Sequence, residues 1–333
     1  MTFLKNSILL LVSLAIALLL AEFGTRIAFN DLTSTPNMRT WFGKRWSKEH
    51  VTRNSLRFRE REIAPVAEPG VFRIALIGDS FTYGQGVPAE ARYSNRLEAQ
   101  LQAQGFQAEV LNFGRPGANT EDHRIILNDY VLPLQPDLVL VQWLPNDFEN
   151  SDLRWAPRMT PLVVSHTLHS WLMLHSAMYF LVDIQWRNIY QAINGTGDVY
   201  SSYLLAPFAG DDPEALASTM APIHDLLADL NAGGVPYALF LHPMLLPNMT
   251  DGYVYEPLHE AVLEACRSAG ADCFDLLPLY RALDNGDNDY NYVSLWVNRF
   301  DGHPGEESNK LVADYLAKLA VGQSWLEQTA EDE

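Results

Sequence analysis

The stretch Arg73-Ile-Ala-Leu-Ile-Gly-Asp-Ser80-Phe-Thr-Tyr-Gly-Gln-Gly-Val87 decides how the rest of the chain is interpreted. Its apolar run, Ile74 to Ile77, predicts a buried strand, and Gly78 ends that strand just before Ser80. In open α/β sheets, ligands and reacting groups gather at the carboxyl ends of the strands. Two interpretations follow: a serine presented for chemistry, or a tight turn in which Ser80 only caps the next segment.

Apolar runs of strand length alternate with segments of helical composition along most of the chain. Strands are predicted at 73–78, 108–113, 136–143, 236–242 and 272–276, and helices at 90–104, 120–132, 213–230, 255–269 and 306–319. This alternation is typical of right-handed βαβ units. It predicts an α/β fold of three layers, a flavodoxin-like, doubly wound sheet of about five parallel strands.

Residues 1–29 differ from the rest because Ile8 to Ala21 form an almost unbroken apolar run, interrupted only by Ser13. The run approaches the length needed to span a bilayer, and no Ala-x-Ala cleavage pattern follows it. An uncleaved signal-anchor, a transmembrane helix, is favoured over a cleaved signal peptide and over a core helix. With Lys5 on the cytoplasmic side, the prediction is a single-pass inner-membrane protein with a periplasmic domain.

The remaining boundaries follow from composition. Residues 30–49 are predicted to be a linker, 50–322 the main domain and 323–333 an acidic tail. Within the main domain, about 151–210 is predicted to be a helical insertion rich in aromatic and apolar residues. A lid, a docking surface and simple packing all remain open as its role.

Charge and cysteine content exclude several classes of partner. The formal net charge of −18 argues against nucleic acid as a partner, since phosphate binding needs a clustered basic face. No Cys/His spacing indicates a metal site, and no cofactor is predicted. The two cysteines, Cys266 and Cys273, form either a disulfide or two unrelated thiols.

Four short blocks lie at predicted strand ends or just before a helix: Gly78-Asp79-Ser80, Asn112-x-x-x-x-Gly117, Asn146-Asp147 and Asp301-Gly-His303-Pro304. In order and spacing they resemble the four blocks of the GDSL-like, or SGNH, hydrolase family. The resemblance covers about residues 50–322. It implies the fold predicted above and a serine hydrolase that acts on ester bonds.

Acyl transfer needs a nucleophile, a base and donors for the developing oxyanion. Ser80 is the predicted nucleophile, His303 its base, and Asp301 the favoured acceptor that orients the imidazole, with a backbone carbonyl or water as the alternative. The backbone amides of Ser80 and Gly117 and the side-chain amide of Asn146 are the predicted oxyanion donors. Glycine at 117 allows close approach because it has no Cβ.

Two positions depart from the family pattern. The family's acid usually lies three residues before the histidine, where this chain has Phe300, whereas Asp301 lies two before. The third block usually begins with glycine, and here it reads Leu144-Pro145. Pro145 has no amide hydrogen, so Asn146 must act through its side chain.

Tyr83, Arg115, Asn119 and His242 are candidate substrate contacts because they flank the predicted site. For His242, a structural or substrate-rim role is favoured over that of a second base.

The predicted function is an extracytoplasmic serine esterase that hydrolyses O-acyl esters, such as O-acetyl esters of carbohydrates. The predicted partners are a small-molecule or carbohydrate acyl ester and, through the N-terminal helix, the membrane. An O-acyltransferase that modifies an exported polysaccharide would use the same residues and remains an alternative. A non-catalytic binding module is the third, but the presence of Ser80, Asn146 and His303 argues against it.

Overall fold

The computed structural model describes residues 2–149, 165–194, 199–210, 212–247, 249–286 and 290–327. The chain divides into two compact units: the N-terminal unit (residues 1–49 and 155–197) and the sheet unit (residues 50–154 and 198–333). The described helices of the predicted insertion are therefore shared between the two units. Residues 151–164 and 195–198 of that insertion, and 328–333 of the predicted tail, lie outside the described residues. The boundaries assigned from the sequence remain predictions.

The sheet unit is built on a five-stranded parallel sheet in the order β2-β1-β3-β4-β5, which confirms the predicted fold class. Its strands are β1 (Phe72–Gly78), β2 (Ala108–Gly114), β3 (Leu138–Trp143), β4 (Tyr237–Leu241) and β5 (Asp272–Asp275). The register pairs Ile74 with Val110 on one side and with Leu138 on the other. Every residue of β1 and β3 is buried, because helices cover both faces of a doubly wound sheet.

Helices account for most of the remaining regular structure. They are α1 (Thr2–Ala28), α2 (Trp41–His50), α3 (Ser80–Tyr83), α4 (Tyr93–Ala103), α5 (Thr120–Ile126), α6 (His166–His175), α7 (Ala177–Asn194), α8 (Val199–Ala209), α9 (Pro213–Gly233), α10 (Glu256–Ala269), α11 (Leu277–Arg281) and α12 (Glu306–Gly322). In the sheet unit α4 packs with α12, while α9 packs with both α5 and α10.

The helix predicted at 120–132 is shorter than expected. It is α-helical only to Ile126, continues as a π-helical turn over Leu127–Val131, and ends in a 3₁₀ turn, Leu132–Leu134. Pro133 in that last turn has no N–H to donate and cannot continue the α-helical pattern.

A two-stranded antiparallel hairpin, β6 (Trp296–Asn298) and β7 (Asp301–Pro304), stands outside the main sheet and precedes α12. No pattern in the sequence predicts this hairpin. Both strands are shorter than the runs from which alternation can be recognised. The hairpin carries Asp301 and His303.

The N-terminal unit consists of α1, α2, α6 and α7 among the described residues. Helix α1 is the one described helix long and apolar enough to cross a membrane, with a mean hydropathy of 2.4 and none of that window buried. Its exposure speaks against a core helix, and its position is compatible with an anchor or a signal sequence. Phe42 of α2 packs edge-on against Phe180 of α7, with ring centroids 5.5 Å apart.

The sequence left the state of the two cysteines open, and the structure joins them. Cys266, near the end of α10, forms a disulfide with Cys273 in β5, with Cα atoms 6.2 Å apart. Gly270 ends the helix between them in the left-handed conformation, φ +65°, which lets the chain reverse into the strand.

We expect this disulfide to stabilise the sheet unit. Closing a loop with a sequence separation of 7 contributes roughly 2–3 kcal/mol at 25 °C in the chain-entropy description. Dithiothreitol should therefore lower the urea midpoint of the wild-type protein. The double variant Cys266→Ala/Cys273→Ala should already unfold at a lower midpoint and not respond to dithiothreitol. A wild-type midpoint that is the same with and without reductant would contradict the pairing.

Candidate active site

The turn after β1 presents Ser80 at the carboxyl end of the sheet. Asp79 caps the single turn of α3 because its Oδ1 accepts a hydrogen bond of 2.8 Å from the Phe81 amide. The turn lies directly on the sheet: a Cβ on Gly78 would lie 2.0 Å from Thr82 Oγ1 and 2.6 Å from Gln142 Oε1. Glycine is therefore required at 78. Because it has no side chain, the turn can pack directly on the sheet, and this packing holds Ser80 in position.

Ser80, His303 and Asp301 form one hydrogen-bonded series. His303 Nε2 lies 2.9 Å from Ser80 Oγ, and His303 Nδ1 lies 2.5 Å from Asp301 Oδ1. Asp301 is fully buried, whereas 14% of the His303 side chain is exposed. A carboxylate on Nδ1 selects the tautomer in which Nε2 accepts from the serine hydroxyl. The arrangement can therefore move the Ser80 proton to the imidazole.

Asp301 lies two residues before His303, whereas the family's acid usually lies three before, and this difference has a structural explanation. Residues two apart in a strand point to the same face, and Asp301 and His303 both lie in β7. The carboxylate can therefore reach the imidazole across a spacing of two. Asp301 Oδ1 also accepts the backbone amide of His303 at 3.2 Å, which holds the acid and the base in one local unit.

The electrostatics of the site raise the pKa of His303. Burial by itself lowers the pKa of an imidazole. Here the charge of Asp301, its hydrogen bond and the charge of Asp79 outweigh burial, so the pKa lies above the ordinary 6.5. The imidazolium that would form during proton transfer is thus stabilised.

Gly117 and Asn146 lie on the turns that follow β2 and β3. Gly117 is exposed and has a φ of +75°. The Ala118 amide donates a hydrogen bond of 3.0 Å to Arg115 O, which closes the turn around Gly117. Asn146 is half-buried in the 3₁₀ turn Pro145–Phe148, and its Oδ1 is buried without a partner in the described part of the chain. Nδ2 is then the amide atom suited to meet an anionic oxygen.

Hydrogen bonds tie these turns to one another and to β1. The amide of Arg115 donates to Gly78 O at 3.0 Å, next to the Ser80 turn. Asn119 Nδ2 donates to Glu149 O at 2.8 Å, and Thr120 Oγ1 donates to Asp147 O at 3.0 Å. The three blocks therefore form one connected edge of the sheet.

Two buried carboxyl groups support this edge. Asp147 Oδ2 accepts the Leu144 amide at 2.8 Å and so closes the Asn146 turn. Burial raises the pKa of Asp79, and burial together with the charge of Asp79 raises the pKa of Asp147 well above its ordinary value. Their contacts are to backbone groups and, for Asp79, to Ser80 Oγ at 3.2 Å.

Arg59 holds the loop that follows Ser80, a role that no pattern in the sequence indicates. Its guanidinium, almost completely buried, donates to Tyr83 O at 3.1 Å, Gly84 O at 2.7 Å and Val87 O at 2.9 Å. Burial and the neighbouring Arg92 lower the pKa of Arg59 to about 10, so it stays charged at neutral pH. Its stretch, 54–62, is dense in alternating charge, which in the sequence is equally typical of a solvated segment.

Of the four candidate substrate contacts, only Arg115 keeps an accessible side chain. Tyr83 is buried beneath the Arg59 guanidinium at 5.5 Å, and Asn119 caps α5. His242 is 1% exposed, with Nδ1 bonded to Pro243 O at 2.8 Å and Nε2 to the Tyr280 hydroxyl at 2.7 Å. Burial lowers the pKa of His242 to about 3. Both ring nitrogens of His242 are engaged by protein groups, which favours the structural role over the substrate-rim role, and contact with substrate stays a prediction.

A cavity of about 330 Å³ opens beside the Asn146 turn, between α5, α8 and α9. Its wall combines carboxylates and hydroxyls with apolar side chains: Glu121, Asp147, Phe148, Glu149, Tyr203, Leu204, Ser218 and Thr219. Such a lining suits a ligand with several hydroxyl groups. Among the described residues no cluster of His, Cys, Asp and Glu could hold a metal ion.

The fold and this hydrogen-bonded series define the class of hydrolases that use a serine on a doubly wound sheet. Within that class, the chain belongs to the GDSL-like lipase/acylhydrolase family, whose model matches residues 76–311. It is therefore an ester-hydrolysing enzyme, as the four sequence blocks implied.

Several solved structures are similar to this chain. They include the acetyl xylan esterase AlAXEase (18% identity, 74% of this chain and 99% of that one, TM-score 0.45). A lipase/acylhydrolase from Enterococcus faecalis has 14% identity over 76% of this chain and 96% of its own, with a TM-score of 0.45. The esterase EstA from Pseudoalteromonas sp. has 12% identity over 77% and 98%, with a TM-score of 0.41. A search of curated protein sequences gave no match.

The raised pKa of His303 leads to a prediction about pH. Activity requires neutral imidazole, so kcat/KM of the wild type should rise with pH through a value above 6.5. Asp301→Asn removes the charge that raises this pKa and leaves burial to lower it. The acidic limb should shift to lower pH, and the plateau should fall by roughly 10³–10⁴-fold. Asp225→Asn, at an exposed carboxylate on α9, should change neither. An unshifted limb in Asp301→Asn would argue against the assigned pairing.

Proposed function

We propose that this protein is a membrane-anchored serine esterase that acts outside the cytoplasm on O-acyl esters, with O-acetyl esters of carbohydrates as its substrate class. The observation that carries the proposal is the series Ser80–His303–Asp301, with a hydroxyl, an imidazole and a buried carboxylate in hydrogen-bond contact. Nucleophilic acyl transfer needs a nucleophile in contact with a base, and a third group that orients the base makes the transfer efficient.

In the proposed reaction, Ser80 Oγ attacks the acyl carbon while His303 Nε2 takes the hydroxyl proton. The oxyanion accepts hydrogen bonds from the amides of Ser80 and Gly117 and from Asn146 Nδ2. Collapse of the tetrahedral intermediate breaks the ester bond, and His303 returns the proton to the leaving alcohol. Water then attacks the acyl-enzyme by the same route and releases the carboxylic acid and Ser80.

The substrate class is supported by the cavity beside the Asn146 turn. Its carboxylates and hydroxyls can pair with the hydroxyl groups of a sugar, and Phe148 supplies an apolar surface. The cavity lies next to two segments that carry proposed oxyanion donors, since Asn119 follows the Gly117 turn and Asp147 follows Asn146.

The location outside the cytoplasm is supported by two independent features. Helix α1 has the length and hydropathy of a membrane span, and Lys5 precedes its apolar run. The disulfide between Cys266 and Cys273 belongs to an oxidising compartment, because cytosolic thiols are kept reduced.

The O-acyltransferase alternative uses the same residues, with a sugar hydroxyl in place of water in the second half-reaction. Nothing in the geometry of the described residues favours that acceptor over water, so it stays an alternative prediction. A binding module would not need a buried carboxylate oriented on the imidazole of His303.

A fluorophosphonate probe tests the proposed nucleophile directly. We expect the detergent-solubilised full-length protein to gain one probe mass at Ser80, because the probe reacts only with an activated serine. Ser80→Ala and His303→Ala should not be labelled and should lose at least about 10⁴-fold in ester turnover. His166→Ala, at an exposed histidine of α6, should behave as wild type. Labelling of a folded His303→Ala protein at the wild-type rate would contradict the role of the base.

The proposed location can be tested in spheroplasts. Protease added outside should digest the sheet unit, and the same treatment after lysis should give no additional cleavage of this protein. A cytoplasmic marker protein should survive until lysis. A sheet unit that is protected in intact spheroplasts would reverse the proposed topology.

A further inference from the structure

Helix α7 carries an apolar stripe that the N-terminal unit does not cover. Its members are between 42% and 77% exposed: Val182, Trp186, Ile189, Tyr190 and Ile193. Their spacing of i, i+4, i+7, i+8 and i+11 places them on one side of the helix. Phe180 is buried on the opposite side of the helix, and Asp183 is buried at the edge of the stripe. Contiguous exposed apolar surface of this kind marks an interaction site.

The start of α7 is fixed to the end of α1. Glu22 of α1 accepts hydrogen bonds from Ser176 Oγ at 2.7 Å and from the amides of Ala177 at 2.9 Å and Met178 at 3.0 Å. These amides belong to the open N-terminal turn of α7, where an anion is favourable. Arg26 Nη2 adds a bond to His175 O at 2.9 Å.

This attachment sets the depth at which α7 begins. An apolar helix crosses the roughly 30 Å of hydrocarbon with about 20 residues. The apolar run of α1 ends at Ala21, and Glu22 is the first charged residue after it. If α1 spans the bilayer, Glu22 lies at the headgroup level, and so does the first turn of α7.

Charge and aromatic composition fit the same environment. Within residues 2–49 and 165–194 there are seven basic and four acidic residues, in a chain whose net charge is −18. Four of these cations line a cavity with Trp41: Arg26, Lys44, Arg45 and Lys48. Trp171 on α6 is 56% exposed. Tryptophan and tyrosine favour the membrane–water interface, and basic side chains favour anionic headgroups.

We propose that the apolar stripe of α7 lies in the interfacial layer of the bilayer that α1 spans, so that the N-terminal unit contacts lipid through two elements. The occupant of the stripe is lipid because α7 begins at the end of the proposed anchor and the stripe includes the interfacial residues Trp186 and Tyr190. Helix α7 lies in the interface without crossing it, as amphipathic helices do. This inference rests on the membrane anchoring proposed above.

Spin labels in the full-length protein test the inference. The two cysteines are paired, so a single introduced cysteine provides the thiol for labelling. The reporter is Ile189→Cys in the stripe, and the matched control is Asn188→Cys, an exposed position on the same helix outside the stripe. Leu14→Cys, in the middle of α1, reports on the anchor itself. Each variant is reconstituted in vesicles of phosphatidylcholine and phosphatidylglycerol, and power saturation compares collisions with oxygen and with a water-soluble nickel chelate.

We expect the labels at positions 14 and 189 to collide more often with oxygen, and the label at 188 to collide more often with the nickel chelate. A lipid-like label at 14 with a nickel-accessible label at 189 would leave the anchor intact and overturn the inference. A label at 189 shielded from both reagents would mean that protein, such as a second copy, covers the stripe, which also overturns it. A label at position 14 that is accessible to the nickel chelate would show that α1 does not span the bilayer. That result would overturn the proposed anchoring and this inference together.

Discussion

Close contact between the turn that carries Ser80 and the ends of β1 and β2 is the constraint on which the site depends. There is no space for a Cβ at Gly78 or at Gly114, where one would lie 2.2 Å from the Tyr83 amide. The turn is therefore pressed onto the strands, and the buried guanidinium of Arg59 holds the loop that follows it. Ser80 gains a fixed position from packing that involves none of the reacting atoms, which is how rigid scaffolds position reactive groups.

His303 reaches Ser80 from a different part of the chain, on the small hairpin rather than on the main sheet. Burying the Asp301 carboxylate is costly unless its charge is paired and hydrogen-bonded. His303 supplies that compensation through both its ring and its backbone amide. The hydrogen bonds that offset the cost of burying Asp301 also orient the imidazole of His303. The stability of the hairpin and the geometry of the site therefore depend on the same Asp301–His303 contact.

The sheet and its edge could be predicted from the sequence because they follow from local signals. Apolar runs such as Ile74–Ile77 indicate buried strands, and parallel strands place Ser80, Gly117 and Asn146 at one edge. The structural role of Arg59 and the hydrogen-bond partners of His242 could not be predicted, since each contact joins residues far apart in sequence. The hairpin was missed because its strands are too short to show a period. The contact of α7 with α1 joins segments about 150 residues apart, and no local pattern indicates it.

The three hydrogen bonds that Glu22 accepts make α1 part of the fold of the N-terminal unit. Removing the first 29 residues, the usual route to a water-soluble enzyme for crystallisation, would also remove the acceptor for the start of α7. The amides of Ala177 and Met178 would then lose their acceptor, only Ser176 Oγ would still cap the Tyr179 amide at 3.0 Å, and the helix would lose the surface on which it packs. A shortened protein should consequently aggregate through α7 even where its sheet unit folds. Helix α1 and helix α7 of the insertion therefore depend on each other for their packing, although their contact joins residues about 150 positions apart in the chain.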